Sequence, residues 1–71
     1  MLKEYRIRKN ISQEKLEKIT GLDRKTIFRI ENDINTPTLD TFAKIVTALD
    51  LTDREIVFEV KKIANIKNNN A

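Results

Sequence analysis

The sequence predicts a single all-α domain built from five helices. Helix-forming residues dominate its 71 positions, with neither the alternation typical of strands nor an internal repeat. Four breaks interrupt the chain, at Asn10, at Gly21, over residues 32–37 and at Asp50. The five segments between them each carry apolar residues three or four positions apart, which is typical of helices that pack one face against a core.

The second and third segments carry clear boundary signals. Ser12 is a good N-cap for the second segment, and Gly21 is suited to end it because glycine adopts the left-handed conformation at little cost. Asp23 is the N-cap predicted for the third segment, which closes at Asn32 and Asp33, residue types that tolerate a left-handed backbone. The residues predicted to face inward are Leu16, Ile19 and Thr20 in the second segment and Ile27 and Ile30 in the third.

The remaining three segments are predicted in the same way. The first covers about residues 2–9, Thr38 caps the fourth, and Thr52 with Glu55 forms a capping box that opens the fifth. Their apolar stripes are Leu39, Phe42, Ile45, Val46 and Leu49 in the fourth segment and Ile56, Val57, Val60, Ile63 and Ala64 in the fifth. The predicted core consists of Tyr5, Leu16, Ile27, Ile30, Phe42, Ile45 and Leu49.

Composition argues against most kinds of active site. The chain has no cysteine and no histidine, one serine (Ser12) and one glycine (Gly21). Disulfides, cysteine or histidine zinc sites, serine–histidine nucleophiles and glycine-rich phosphate loops are therefore excluded. We expect no enzymatic activity, no cofactor and no metal. Wholly apolar runs reach only two or three residues, so we also expect no membrane association and a cytoplasmic location.

Charge is unevenly distributed along the chain. Residues 1–32 carry nine basic and five acidic side chains, whereas residues 33–71 carry five basic and six acidic ones. A basic half suggests a polyanionic partner, although charge alone slightly favours a solvated helical surface.

Three segments of the chain carry a family resemblance. They are residues 12–16, 20–27 and 29–32, which read SQEKL, TGLDRKTI and RIEN. Together with residues 37–39 and 48–49 they resemble the helix-turn-helix domains of the lambda repressor and Cro family, over roughly residues 2–57. The resemblance implies a lambda-repressor-like fold with an extended C-terminal helix, and binding to double-stranded DNA. Independently, two short helices joined by a glycine-containing turn have the geometry that enters a major groove.

Two positions depart from the family pattern. Alanine is usual where this chain has Glu17, at the contact between the two motif helices. We expect this glutamate to bend outward, toward Lys18 or a motif-helix arginine, or the helices to separate slightly. Glycine is common at the position of Asp33, so that loop is expected to lie differently here.

The resemblance and the helical register together give candidate DNA contacts. Arg24 and Lys25 occupy positions that reach base edges in the family, and cations in a helix's first turn oppose its dipole, so a purely structural role explains them poorly. Phe28 either presses on a thymine methyl or folds back onto the core or Lys25. Arg29 reaches a base or the backbone, or pairs with Glu14 or Asp33. The expected phosphate contacts are Gln13, Thr26, Asn32, Asn35 and Thr36, with helix capping as an alternative for Asn32.

The family also pairs an arginine on the first helix with a glutamate ending the third, which implies a structural ion pair between Arg6 and Glu31. Residues 1–57 are interpreted as the DNA-binding domain, with its motif at about 12–32, and residues 58–71 as a helical extension with a polar tail. The fifth apolar stripe either covers a small core or forms a homodimer interface, and we favour the dimer because paired domains match palindromic operators. Its members are Ile56, Val57, Val60, Ile63 and Ala64.

The leading hypothesis is a dimeric, sequence-specific regulator that represses by occluding a promoter, since the chain has little room for an effector domain. The alternatives are a protein-interaction module, such as an antitoxin or adaptor that uses the C-terminal helix, and the N-terminal domain of a longer regulator. An enzyme ranks last.

Overall fold

Five helices account for most of the chain. The computed structural model describes the backbone of residues 1–69 and the side chains of residues 1–65. The helices are α1 (Lys3–Arg8), α2 (Gln13–Thr20), α3 (Arg24–Glu31), α4 (Leu39–Ala48) and α5 (Asp53–Asn69). No strand occurs in the described part of the chain, and the predicted five-helix, all-α fold is confirmed. Residues 70 and 71, the end of the predicted polar tail, lie outside the described residues.

Side-chain caps fix where four of the helices begin. The hydroxyl of Ser12 accepts from the backbone N–H of Lys15 at 3.0 Å, and the Asp23 carboxylate accepts from the N–H of Thr26 at 2.8 Å. Thr38 caps α4 and Thr52 caps α5, and each hydroxyl accepts from the backbone N–H three residues downstream at 3.2 Å. Each cap satisfies a backbone donor that the first turn of a helix leaves free, so these boundaries follow from local chemistry.

The core lies where α2 packs against both α3 and α4. Six of the seven predicted core residues are buried, whereas Tyr5 is only half-buried at the edge of the cluster. The buried apolar residues are Leu2, Leu16, Ile27, Ile30, Phe42, Ile45, Val46, Leu49 and Leu51.

Two residues in the predicted apolar stripes of α2 and α4 are exposed. Ile19 is 51% exposed because the inward face of α2 centres between Leu16 and Thr20, and at about 100° per residue Ile19 lies roughly 80° from that centre. Leu39 is 82% exposed because it starts α4 at roughly 70° from the centre of the buried stripe. The prediction that Ile19 faces inward is therefore wrong, and Leu39 lies outside the core.

The apolar stripe of α5 divides between two faces. Ile56 and Ile63 are half-buried and pack against the core, which makes them cover for this domain's own interior. Val57, Val60 and Ala64 are exposed on the adjoining face. α5 continues unbroken through residues 57 and 58, the boundary expected between domain and extension. None of the helices in the described residues combines the length and hydropathy that crossing a bilayer demands.

Candidate nucleic-acid interface

A three-residue turn sets the angle between α2 and α3. Gly21 ends α2 in the left-handed conformation, at φ 76°, and its N–H donates to the carbonyl of Glu17 at 2.8 Å. The hydroxyl of Thr20 donates to the Leu16 carbonyl at 2.6 Å and accepts from the Leu22 N–H at 3.2 Å. The turn thereby keeps its polar groups paired while the chain changes direction, as in a helix-turn-helix.

α3 has one buried face and one free face. Ile27, Ile30 and Glu31 are buried against the rest of the domain. The four residues predicted to contact bases all lie on exposed positions, namely Arg24, Lys25, Phe28 and Arg29. Their spacing places Arg24 above Phe28 and Lys25 above Arg29, one turn apart. The free face of α3 therefore presents three cations and one aromatic ring, and Phe28, 50% exposed, does not fold back onto the core.

Arg24 is held by Glu17 of α2. The Arg24 Nε donates to Oε1 of Glu17 at 3.0 Å and its Nη2 donates to Oε2 at 3.4 Å, so the two planar groups face each other. Glu17 thus turns outward toward a motif-helix arginine, one of the arrangements expected from the sequence. The Arg24 side chain is still about half exposed, at 49%.

Lys25 and Arg29 have no ion-pair partner within 4 Å among the residues whose side chains the structure describes. The carboxylates considered for Arg29 are engaged elsewhere. Glu14 lies 3.7 Å from the ammonium of Lys18, and Asp33 lies 3.1 Å from the α-amino group of Met1. Both free cations are consequently available to a ligand on the outer side of α3.

The residues predicted to contact phosphates flank this face. Gln13, half-buried at the start of α2, donates from Nε2 to Oε1 of Glu31 at 3.1 Å. Asn32 donates from Nδ2 to the Phe28 carbonyl at 2.8 Å, which is the capping role considered for it. Thr26 is half-buried in the first turn of α3. The other two, Asn35 and Thr36, are exposed in the loop after α3.

Arg6 and Glu31 meet as a buried, two-pronged ion pair. The Arg6 Nε donates to Oε2 of Glu31 at 2.6 Å and its Nη2 donates to Oε1 at 3.0 Å. A third donor, Nη1, reaches the Ile11 carbonyl at 2.8 Å. With Gln13 added, the pair ties α1, the start of α2 and the end of α3 together, so it fixes the orientation of the exposed face without contributing to it.

Hydrogen bonding also lowers the pKa of the Asp23 carboxylate at the start of α3. The backbone N–H and the hydroxyl of Thr26 hold the pKa of Asp23 below its usual range, and the charges of Lys25 and Arg29 act in the same direction. Asp23 is therefore ionised as a cap, and its negative charge complements the positive end of the α3 dipole.

Glu59, a fully buried carboxylate on α5, was not predicted from the sequence. Its Oε2 accepts from Lys62 Nζ at 3.1 Å and from the Tyr5 hydroxyl at 3.4 Å, whereas Oε1 has no partner among the described residues. Burial, followed by the charge of Glu59, raises the pKa of Tyr5, and the hydrogen bond to Glu59 raises the pKa of Lys62. The spacing could have indicated this burial, because Glu59 lies three residues after Ile56 and four before Ile63, which is the spacing of one helix face.

Comparison with known proteins agrees with this geometry. A family model described as helix-turn-helix, of the Cro/C1 type, matches residues 2–56. No curated protein and no solved structure gives a significant match to the chain. Within the described residues, no cluster of three or more acidic side chains is arranged to hold a metal ion.

Proposed function

Because the chain belongs to the Cro/C1-type helix-turn-helix family of DNA-binding regulatory domains, we propose that it is a sequence-specific transcriptional repressor acting as a homodimer in the cytoplasm. The observation that carries this proposal is the free face of α3, with Arg24, Lys25, Phe28 and Arg29 all exposed. A major groove about 12 Å wide accepts one helix, and arginine donates two hydrogen bonds to O6 and N7 of guanine.

In this proposal the base contacts come from the free face of α3. Arg24 and Lys25, in its first turn, reach furthest into the groove, as in helix-turn-helix complexes where N-terminal residues of the recognition helix contact base edges. Phe28 contacts a thymine methyl, and Arg29 reaches a base or the adjacent backbone. The support is their shared exposure and the absence of ion-pair partners for Lys25 and Arg29 among the described side chains.

Phosphates on either side of the groove would then meet the ends of the motif helices. We assign Gln13 and Thr26 to phosphate contacts because each lies in the first turn of its motif helix and has a side chain that donates hydrogen bonds. Asn32, Asn35 and Thr36 would contact the backbone from the loop after α3. The Gln13 amide has a second hydrogen to donate besides the one directed at Glu31.

The dimer interface is proposed on the exposed face of α5, formed by Val57, Val60 and Ala64, with Ile56 and Ile63 beneath it. Pairing two copies through this face would bury apolar side chains that the single domain leaves in water. A twofold dimer binds two half-sites centred about 34–36 Å apart, which is one helical turn of DNA. Repression would follow from occlusion of a promoter that contains such a site.

Selection of bound duplexes from a random pool, at two salt concentrations, tests the proposal. We expect an enriched palindromic sequence with half-sites about one turn apart, and affinity that falls as salt rises because phosphate contacts release counterions. Enrichment of a single half-site would contradict the dimer. Failure to retain any duplex at low salt would contradict DNA binding by this chain.

The exposed apolar side chains of α5 also favour a second candidate, a protein-interaction module. Val57, Phe58 and Val60 are each about half exposed, so a different protein could cover this face in place of a second copy. Sedimentation separates the two candidates. A wild-type protein that stays monomeric across the concentration range would favour a different protein as partner.

A further inference from the structure

We propose that Glu17 is a specificity-determining positioning residue, which holds the Arg24 guanidinium in the orientation that reads guanine. This inference rests on the proposed DNA-binding function and deepens it. Glu17 contacts no base in this arrangement and acts only through Arg24. The observation behind it is the two-pronged contact between α2 and α3, Nε to Oε1 at 3.0 Å and Nη2 to Oε2 at 3.4 Å.

The geometry of guanidinium explains why the contact helps recognition. The group is planar and carries five N–H donors, one on Nε and two on each terminal nitrogen. Glu17 engages Nε and one hydrogen of Nη2. The edge formed by Nη1 and the second Nη2 hydrogen stays free, and this edge has the two parallel donors that O6 and N7 of guanine require.

Holding the side chain also lowers the cost of binding. A free arginine loses substantial rotamer entropy when it is fixed at a base, whereas one already held by a carboxylate loses less on complex formation. The contact is partly shielded, because the Glu17 side chain is only 27% exposed between the two helices. The same carboxylate repels phosphates, so Glu17 is expected to weaken binding to all sequences while it sharpens the preference for guanine at one position.

Glu14 offers a matched control on the same helix. It is an exposed glutamate paired with Lys18 at i,i+4, and it makes no hydrogen bond to Arg24. Glu14→Gln therefore removes the same charge from α2 as Glu17→Gln does, without disturbing the Arg24 contact. A general electrostatic effect would appear in both variants, and a positioning effect in one.

The test uses the duplex that wild-type protein selects from a random pool. The base pair read by Arg24 is the one whose preference disappears in Arg24→Ala. Affinities for this duplex, and for one with that guanine pair changed to adenine–thymine, are then measured for wild type, Glu14→Gln, Glu17→Gln, Glu17→Ala, Arg24→Ala and the double variant Glu17→Ala/Arg24→Ala. Thermal unfolding of each variant verifies that it is folded.

We expect Glu17→Ala to lower the discrimination between the two duplexes by about fivefold or more, the lower end of the range for one bidentate contact. The discrimination of Glu17→Gln should lie between those of Glu17→Ala and wild type, and the discrimination of Glu14→Gln should equal that of wild type. Once Arg24 is alanine, Glu17→Ala should change the discrimination no further. All Glu17 variants should bind the altered duplex more tightly than wild type does.

Two other outcomes would contradict these proposals. If Glu17→Ala keeps or raises the discrimination, the carboxylate sequesters Arg24 from DNA or is irrelevant to it, and the inference fails while the proposed function stands. If wild-type protein enriches no duplex, or Arg24→Ala changes no base preference, the proposed function or its assignment of Arg24 fails first.

Discussion

At the scale of single residues, Arg6 and Glu31 form a buried ion pair that joins α1 to the end of α3. Removing two charges from water is expensive, and the pair offsets this cost through its two mutual hydrogen bonds, the bond from Arg6 to the Ile11 carbonyl and the bond from Gln13 to Glu31. The orientation of α3 relative to α1 thus depends on one buried contact.

Arg6→Met is predicted to lower the free energy of unfolding by about 3–5 kcal/mol, because it leaves the Glu31 carboxylate buried without its cation. Arg6→Met/Glu31→Leu should recover much of this loss, since no charge is then stranded. Urea unfolding measures both. The matched control is Lys44→Met, which breaks the exposed i,i+4 contact with Asp40 and should cost less than about 0.5 kcal/mol. A double variant less stable than Arg6→Met would contradict the argument.

Arg24 and Gln13 are predicted to differ in what their loss does to DNA binding. Arg24→Ala should weaken binding to the selected duplex by about 1–3 kcal/mol and relax the preference at one base pair. Gln13→Ala should weaken binding to all sequences alike, because phosphate contacts carry no sequence information. Competition binding against single-base variants of the duplex separates the two effects. A changed base preference in Gln13→Ala would argue against its phosphate role.

The Asp23 cap is predicted to make the stability of the protein depend on pH. Its pKa in the folded protein is lowered from the usual 3.8, chiefly by the backbone hydrogen bond from Thr26. The stabilisation is therefore fully present above the unfolded pKa and is lost as the pH falls through the folded value. Asp23→Asn keeps a good N-cap without a titrating group.

Unfolding followed at neutral pH and at about pH 2 measures this contribution. Wild type should exceed Asp23→Asn in stability at neutral pH, where the carboxylate favours the helix dipole, and the difference should shrink on acidification. A difference that is constant with pH would show that the Asp23 charge contributes nothing.

At the scale of elements, the turn between α2 and α3 depends on Gly21. Its φ of 76° is strained for any residue with a Cβ, although an added Cβ would meet no atom within 4 Å. Gly21→Ala is therefore predicted to cost about 1–2 kcal/mol through the backbone alone. Gly21→Asn should cost less, since asparagine tolerates this region better. Thermal unfolding compares the two, and an alanine variant as stable as wild type would be the contrary result.

Helix boundaries were predictable from sequence because caps are local. Ser12, Asp23, Thr38 and Thr52 each bond a backbone N–H three residues downstream, so the relevant chemistry lies within one turn. Which face a helix buries is a tertiary property, and here prediction was less accurate. Ile19 is apolar and lies at a helical spacing from Leu16, yet it is left half exposed.

Glu59 is the converse case, a charged residue whose burial could not be predicted from its type. Its charge suggests a surface position, and only the contacts with Tyr5 and Lys62 make its burial intelligible. For the candidate site, the sequence indicated that Glu17 would turn outward. It did not decide between Lys18 and an arginine, because that choice depends on the distance between α2 and α3.

At the scale of the whole molecule, small size is the governing constraint. A chain of 71 residues buries little more than half of its unfolded surface, and the stability expected for it is roughly 0.05–0.15 kcal/mol per residue. α5 contributes Ile56 and Ile63 to the core while it leaves Val57, Val60 and Ala64 in water. Association through this second face would bury these side chains and thereby stabilise the domain.

Val60→Asp is predicted to convert the proposed dimer to a monomer without unfolding the domain. Val60 is already 47% exposed in the single domain, so a carboxylate there remains hydrated in the monomer, whereas pairing through α5 would set two such charges against each other. Sedimentation over a range of concentrations should show a dimer for wild type and a monomer for the variant, with unchanged helical circular dichroism.

Leu39→Asp is the matched control for this change, because Leu39 is 82% exposed on α4, away from the proposed interface, and an acidic residue in the first turn of a helix is favourable. It should leave the dimer intact. Loss of dimer in both variants would indicate a general effect of added charge. If the Val60→Asp protein remains dimeric, the interface does not lie on α5. A different pair of surfaces would then set the spacing of the half-sites.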